Sequence, residues 1–270
     1  MRIFLTAILL AATSMLNGQV TIQNVDFIQK DDKIQITYDI QGQGKAFLDV
    51  YYSVNDGTTW KGPVKHVSGD LMNVRPGTGK QITWNVLKER DWLIAENLKI
   101  KIKGKITGGS LTDPRDGQTY EWVRIGNQVW MAENLNYDAG NGCWCYDDNS
   151  RNCNQYGRLY NWETAKRVCP DGWHLPSKRE FETLLNQYGG EGEQAYTALK
   201  SGGSSGFSAL FGGYFYDGSF GHLGDSGGFC SSWETLGGNA WHLSINNLSK
   251  KATISIIGKS WGRSVRCLQD

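Results

Sequence analysis

Cys169-Pro-Asp-Gly-Trp-His-Leu-Pro-Ser177-Lys-Arg-Glu180 runs directly into Phe181-Glu-Thr-Leu184-Leu185-Asn-Gln-Tyr188-Gly189. Ser177 and Glu180 have capping-box spacing: the hydroxyl accepts from a first-turn N–H while the carboxylate reaches back to the cap. Phe181, Leu184, Leu185 and Tyr188 then fall at i, i+3, i+4 and i+7, one apolar stripe facing a core. Gly189 tolerates the left-handed conformation that closes a helix. A helix is therefore predicted between Ser177 and Gly189. Upstream, Leu159, Trp162, Ala165 and Val168 also recur at helical spacing. Earlier still, Tyr120–Ile125 and Gln128–Ala132 flank Gly126-Asn127, a pair suited to a two-residue hairpin turn. From Gly202 onward Gly, Ser and aromatic residues dominate, which implies long loops and short strands, ending on a strand-like Ser264–Leu268. This half reads as α+β with two or three short helices.

The residues before about Ile106 follow a different pattern. Ile34, Ile36, Tyr38 and Ile40 alternate with Gln35, Thr37 and Asp39, placing four apolar side chains on one face of a strand. Phe47–Ser53, Gln81–Trp84 and Leu98–Lys103 read as further strands, with Asn55-Asp56-Gly57 as a turn. Short strands at regular spacing predict a β-sandwich. All six Cys and eight of the eleven Trp fall after residue 106, a shift that separates two domains. Gly108-Gly109-Ser110 marks the linker between them. The expected organisation is a signal peptide over 1–18, an all-β sandwich over 19–106, a linker over 107–112 and the α+β domain over 113–270.

The leader is read from Arg2, the apolar run Ile3–Leu16 and the small residue in Asn17-Gly18-Gln19. That run falls short of the roughly 20 apolar residues that span a bilayer, and no later segment is apolar enough to do so. The expected location is secreted, periplasmic or on the cell surface. With 28 Lys+Arg against 27 Asp+Glu and no charge block, the chain lacks the basic stripe of a nucleic-acid binder. In a secreted chain, six cysteines confined to one region predict a disulfide framework. Cys143-Trp-Cys145 with Cys153 matches no zinc spacing, and no Cys-x-x-Cys opens a helix.

Six ordered motifs carry a family resemblance. They are Val129-Trp-Met-Ala-Glu-Asn-Leu135, Cys145-Tyr-Asp-Asp-Asn-Ser-Arg-Asn-Cys153, Tyr156-Gly-Arg-Leu-Tyr-Asn-Trp162, Cys169–Ser177, Gly212-Gly-Tyr214 and Ser264-Val-Arg-Cys267. Together they resemble the Fibrobacter succinogenes major paralogous domain from about Asp113 to Asp270. The resemblance implies a C-type-lectin-like fold, shared with formylglycine-generating sulfatase-modifying enzymes. It also implies disulfides Cys169–Cys267 and Cys145–Cys153. The two cysteines that remain, Cys143 and Cys230, are expected to join each other, which departs from the family pattern. Before this domain, Tyr52–Trp60 and Trp84-Asn-Val86 resemble small immunoglobulin- or fibronectin-like sandwiches of secreted bacterial proteins, which act as spacers.

The candidate ligand residues are aromatic. Sugar recognition sets aromatic faces against the apolar side of pyranose rings, with polar neighbours for the hydroxyls. Trp144 and Tyr146 border the cysteine loop, while Tyr214, Tyr216, His222, Trp233, Trp241 and His242 occupy Gly-rich or strand-end positions. Asp147-Asp148-Asn149 fails the EF-hand pattern at Arg151, so no metal is expected. The cysteines match structural positions of the resembled fold and the four histidines have no catalytic motif context, so neither catalysis nor a cofactor is expected. The expected function is a non-catalytic binding module for an extracellular polysaccharide. The alternative is a structural or protein-interaction component of the bacterial cell envelope. Nothing in the residues sets an oligomeric state.

Overall fold

The computed structural model describes residues 20–89, 93, 95 and 97–270. The expected signal peptide, 1–18, lies outside the described residues. The chain is mostly β and divides into two compact units, one ending at Ile106 and the other running Thr107–Asp270.

The first unit holds β1 (Thr21–Lys30), β2 (Lys33–Gln41), β3 (Lys45–Ser53), β4 (Val67–Gly69), β5 (Gly77–Asn85) and the first part of β6 (Lys99–Thr112). β1, β2, β5 and β4 form an antiparallel sheet in that order, and β3 neighbours β6. Alternation decides the packing: Ile34, Ile36, Tyr38 and Ile40 of β2 are buried, as are Ala46, Leu48, Val50 and Tyr52 of β3. Both sets share one core with Ile82 and Trp84, where the Tyr52 and Trp84 rings lie 4.9 Å apart.

The second unit begins inside β6. Gly108–Thr112 pair with β7 (Thr119–Ile125), so residues 107–112 are strand rather than the expected linker. Glycine there lets the Trp122 indole lie on the backbone, since a Cβ on Gly109 would meet that ring at 2.6 Å. β7 turns through Gly126-Asn127 into β8 (Gln128–Met131). The remaining elements are β9 (Cys143–Trp144), α1 (Ser150–Tyr156), β10 (Leu159–Tyr160), α2 (Trp162–Ala165), β11 (Trp173–His174), α3 (Lys178–Asn186), α4 (Glu193–Leu199), β12 (Gly212–Tyr216), β13 (Ser219–Leu223), β14 (Ser226–Glu234), β15 (Asn239–Asn246), β16 (Lys251–Gly258) and β17 (Leu268–Gln269). β11, β17, β8, β7 and β6 are successive neighbours, and a second sheet runs β13-β12-β14-β15-β16.

The capping box of α3 forms as its sequence requires, with Ser177 Oγ accepting from the Glu180 N–H and Glu180 Oε2 accepting from the Ser177 N–H. Its Phe181, Leu184 and Leu185 enter a core with Trp130, Phe207 and Phe229. Four α-helices occur among the described residues, against the two or three expected. The short α1 has no apolar stripe to announce it. It starts on an Asn149 cap, and the Cys145–Cys153 disulfide ties its Cys153 to the preceding loop. Leu159, expected on a helix, lies in β10 because it pairs with Trp144, which leaves α2 a single turn.

Two disulfides are present, Cys145–Cys153 and Cys169–Cys267. The expected Cys143–Cys230 bond is absent, and both thiols are free. Cys143 pairs across β9 with Tyr160, Tyr160 pairs with Arg263, and the next residue, Ser264, bridges to Phe229 beside Cys230. Two chain segments therefore separate the cysteines.

Arg266 is fully buried and needs no carboxylate. It donates to Asn134 Oδ1 at 2.7 Å, Met131 O at 3.2 Å, Ser208 O at 2.9 Å and Phe207 O, joining segments far apart in sequence. Burial pulls its pKa down to about 9.

Candidate functional site

The β12–β13 hairpin organises the site. Asp217 and Gly218 both have positive φ, 48° and 74°, the backbone of a tight two-residue turn matched to strand twist. The register sets Phe215 opposite Phe220 and Tyr216 opposite Ser219. Because side chains alternate along a strand, Phe215 faces one way while Tyr214 and Tyr216 face the other.

On the first face Trp144 stacks on Phe215, with ring centroids 4.2 Å apart and planes 25° from parallel. Phe220 lies 5.0 Å from Phe215 and 5.2 Å from Tyr146. This packing needs two glycines. A Cβ on Gly213 would meet the Tyr146 ring at 2.9 Å, and one on Gly262 would meet Trp144 at 3.1 Å. Gly262 also exchanges two backbone hydrogen bonds with Phe215, which seats Trp261-Gly-Arg263 alongside β12.

On the second face Tyr216 stacks on Trp261 at 4.4 Å and 18°, and Tyr216 remains 43% exposed. Tyr214 lies 4.9 Å from Trp261 and 5.4 Å from the exposed His222. Arg263 sits with its guanidinium carbon 5.1 Å from the Tyr214 ring and 5.4 Å from Trp261. Behind it lie Cys230 and His242, which are direct partners across β14 and β15. Burial pushes the Cys230 thiol up to about 12. Burial first, and then the Arg263 charge, pull His242 down to about 4.

The structure therefore gathers Trp144, Tyr146, Tyr214, Tyr216 and His222 around one hairpin. Trp233 and Trp241 do not join them. They lie on β14 and β15 with α3 cations over their rings, Arg179 at 5.4 Å from Trp233 and Lys178 at 4.3 Å from Trp241. His242, expected at a Gly-rich or strand-end position, lies inside β15 and is buried because its side of that strand faces inward. Phe215, Phe220, Trp261 and Arg263 complete the cluster and were not singled out from the sequence. The alternation Tyr214-Phe215-Tyr216 was legible as a signal for the first of these. The approach of Trp261 was not, since it depends on pairing 47 positions downstream of Tyr214.

Behind the cysteine loop lies a polar cleft of about 420 Å³, lined by Arg115, Asn136, Asp138, Cys145, Ser150 and Arg158. Arg115 grips the buried Asp113, holding that carboxyl below its usual range, and lies 3.9 Å over the Tyr137 ring. Arg158 pairs with Asp138 at 2.7 Å. Among the described residues no cluster of three or more His, Cys, Asp or Glu is placed to hold a metal.

A disulfide-braced, mostly β unit that presents an aromatic hairpin is thus the class that the fold and site define. Residues 123–269, more than half of the chain, match the family model of the Fibrobacter succinogenes major domain, and the chain belongs to that family. No curated protein and no solved structure matches it.

Proposed function

We propose that the second unit is a non-catalytic binding module of a secreted or envelope-associated protein, which holds an extracellular polysaccharide against the second face of the β12–β13 hairpin. One observation carries this reading: the parallel Tyr216–Trp261 pair, with Tyr216 left 43% exposed. Backed by Trp261, the part-exposed Tyr216 ring offers one aromatic face near the polar edge of the hairpin, the composition that a pyranose ring and its hydroxyls recruit. Preorganisation by the hairpin limits the ordering cost of binding. The same reading takes the second unit as C-type-lectin-like and the first as an immunoglobulin- or fibronectin-like sandwich serving as a spacer. Antiparallel layers around one core in the first unit, and a Cys169–Cys267 bond that closes most of the second, support those assignments. Among the described residues no helix is long and apolar enough to cross a membrane. A glycan array probed with the full chain and with Tyr216→Ala tests the reading. Signals that vanish in the variant support it, and an array without signal for the unaltered chain overturns it.

The alternative, a protein partner in the envelope, draws on a different place. Trp233 is 41% exposed and Leu236 98% exposed at the β14–β15 turn. Capture from an envelope extract that Leu236→Ser abolishes, and Tyr216→Ala leaves intact, would favour it.

A further inference from the structure

Two arginines of the second unit are buried, and they are treated differently. Arg266 has four oxygen acceptors. Arg263 is 8% exposed, yet its Nε has no hydrogen-bond partner, and no carboxylate pairs with its guanidinium among the described residues. Its surroundings are the Tyr214 and Trp261 rings, the Cys230 thiol, and Gly228, where a Cβ would come within 2.8 Å of Arg263 Cδ. A second orphan lies in the same neighbourhood. His242 is 6% exposed, its Nδ1 has no partner, and the Arg263 charge acts on it. A buried cation without a counter-charge is costly, and the structure keeps this one beside the Tyr214 and Trp261 rings. Arg115 and Arg158, by contrast, each carry a carboxylate.

We infer that Arg263 is the anchor for a negatively charged group on the bound polymer, a carboxylate or sulfate carried by a sugar residue that packs against the Tyr216–Trp261 pair. The inference rests on the polysaccharide reading and narrows it to acidic glycans. A guanidinium that rests beside two rings is weakly hydrated, so it exchanges little solvation for a charge-assisted pair with an oxyanion.

Affinity electrophoresis of the full chain tests this with matched polymers: polygalacturonate against its fully methyl-esterified form, and dextran sulfate against dextran. The esterified and unsulfated members keep the sugar backbone and remove the charge. Binding of polygalacturonate about tenfold tighter than of its ester, the scale of one charged hydrogen bond, supports a carboxylate. The same preference in the dextran pair supports a sulfate. Arg263→Gln should abolish the preference, Arg263→Lys should retain part of it, and Tyr216→Ala should weaken charged and neutral members alike. The comparison on the unaltered protein stands even if Arg263→Gln does not fold. Equal binding of charged and neutral members overturns the inference and leaves the polysaccharide reading intact. A preference that survives in Arg263→Gln assigns it to surface charge and also overturns the inference. Binding to none of the four overturns the inference, and the glycan array then decides the polysaccharide reading.

Discussion

Tyr216 and Trp261 lie face to face, 4.4 Å between ring centroids, although 45 positions separate them in the chain. Gly262 makes the approach possible by pairing with Phe215 on the neighbouring strand. The pair gives the hairpin one wetted side, while the Trp144–Phe215 stack on its other side is packed against the domain.

The two sides should therefore respond differently to truncation. Tyr216→Ala is expected to lose about 1.5 to 3 kcal/mol of polymer binding and to change stability by less than about 1 kcal/mol, as exposed positions do. Trp144→Ala should instead cost about 3 kcal/mol of stability. Titration calorimetry and urea unfolding on the two variants check both halves. Equal stability loss in the two would remove the distinction between a binding side and a packing side.

The disulfides should be unequal. Cys169–Cys267 closes 98 residues and Cys145–Cys153 closes 8. In the loop-entropy model these stabilise by about 4.7 and about 2.5 kcal/mol. Cys267→Ser is expected to unfold at lower urea than Cys145→Ser, and the reverse order would contradict the entropic account.

His174 couples stability to pH. Its Nδ1 meets Asp270 at 2.6 Å and its Nε2 meets Glu180 at 3.0 Å. Burial opposes the imidazolium, but the two carboxylates outweigh it and raise the His174 pKa above 6.5. Burial likewise opposes the Glu180 charge, but the Ser177 N–H and hydroxyl together with His174 hold that carboxyl below 4.5. The histidine term is complete below its unfolded pKa and is lost as pH rises through the folded value. The glutamate term is complete above its unfolded pKa and is lost as pH falls through the folded value. Both contribute fully between pH 4.5 and 6.5. Thermal unfolding scanned from pH 4 to 9 should show His174→Gln losing most relative to the unaltered chain inside that window and little above it.

Free thiols should report burial. Cys143 is half-buried, with Sγ 3.2 Å from Gly140 O, and Cys230 is buried, with Sγ 3.8 Å from Tyr160 O. Iodoacetamide under native conditions is expected to alkylate Cys143 and to spare Cys230 until the chain is unfolded. A mass spectrum showing neither thiol free would contradict the two unbonded cysteines.

Local signals were legible in the sequence wherever chemistry acts over a few residues. The Ser177–Glu180 box, the β2 alternation and the Gly126-Asn127 turn each need only near neighbours, and each forms. The two disulfides came from the family motif rather than from spacing. What the residues concealed was long-range. Leu159 looked helical because its spacing to Trp162 fits a turn, but pairing with Trp144 prevails. Gly108-Gly109-Ser110 looked like a linker because glycine lowers strand propensity, yet β7 supplies a partner and Trp122 covers the bare backbone. Trp233 and Trp241 resembled the hairpin aromatics in composition and were separated from them only by sheet order.

The reach of Arg266 bears on the order in which the second unit assembles. Its guanidinium satisfies carbonyls at Met131, Phe207 and Ser208, and Leu268, two residues later, completes the sheet between β8 and β11. Those carbonyls have no such donor until the final segment docks. The core is thus closed by contacts distant in sequence, and topologies of that kind fold slowly. A chain cut off before Arg266 would lose this donor together with the Cys169–Cys267 bond and the Leu268 pairing, and would present an unfinished core to proteases.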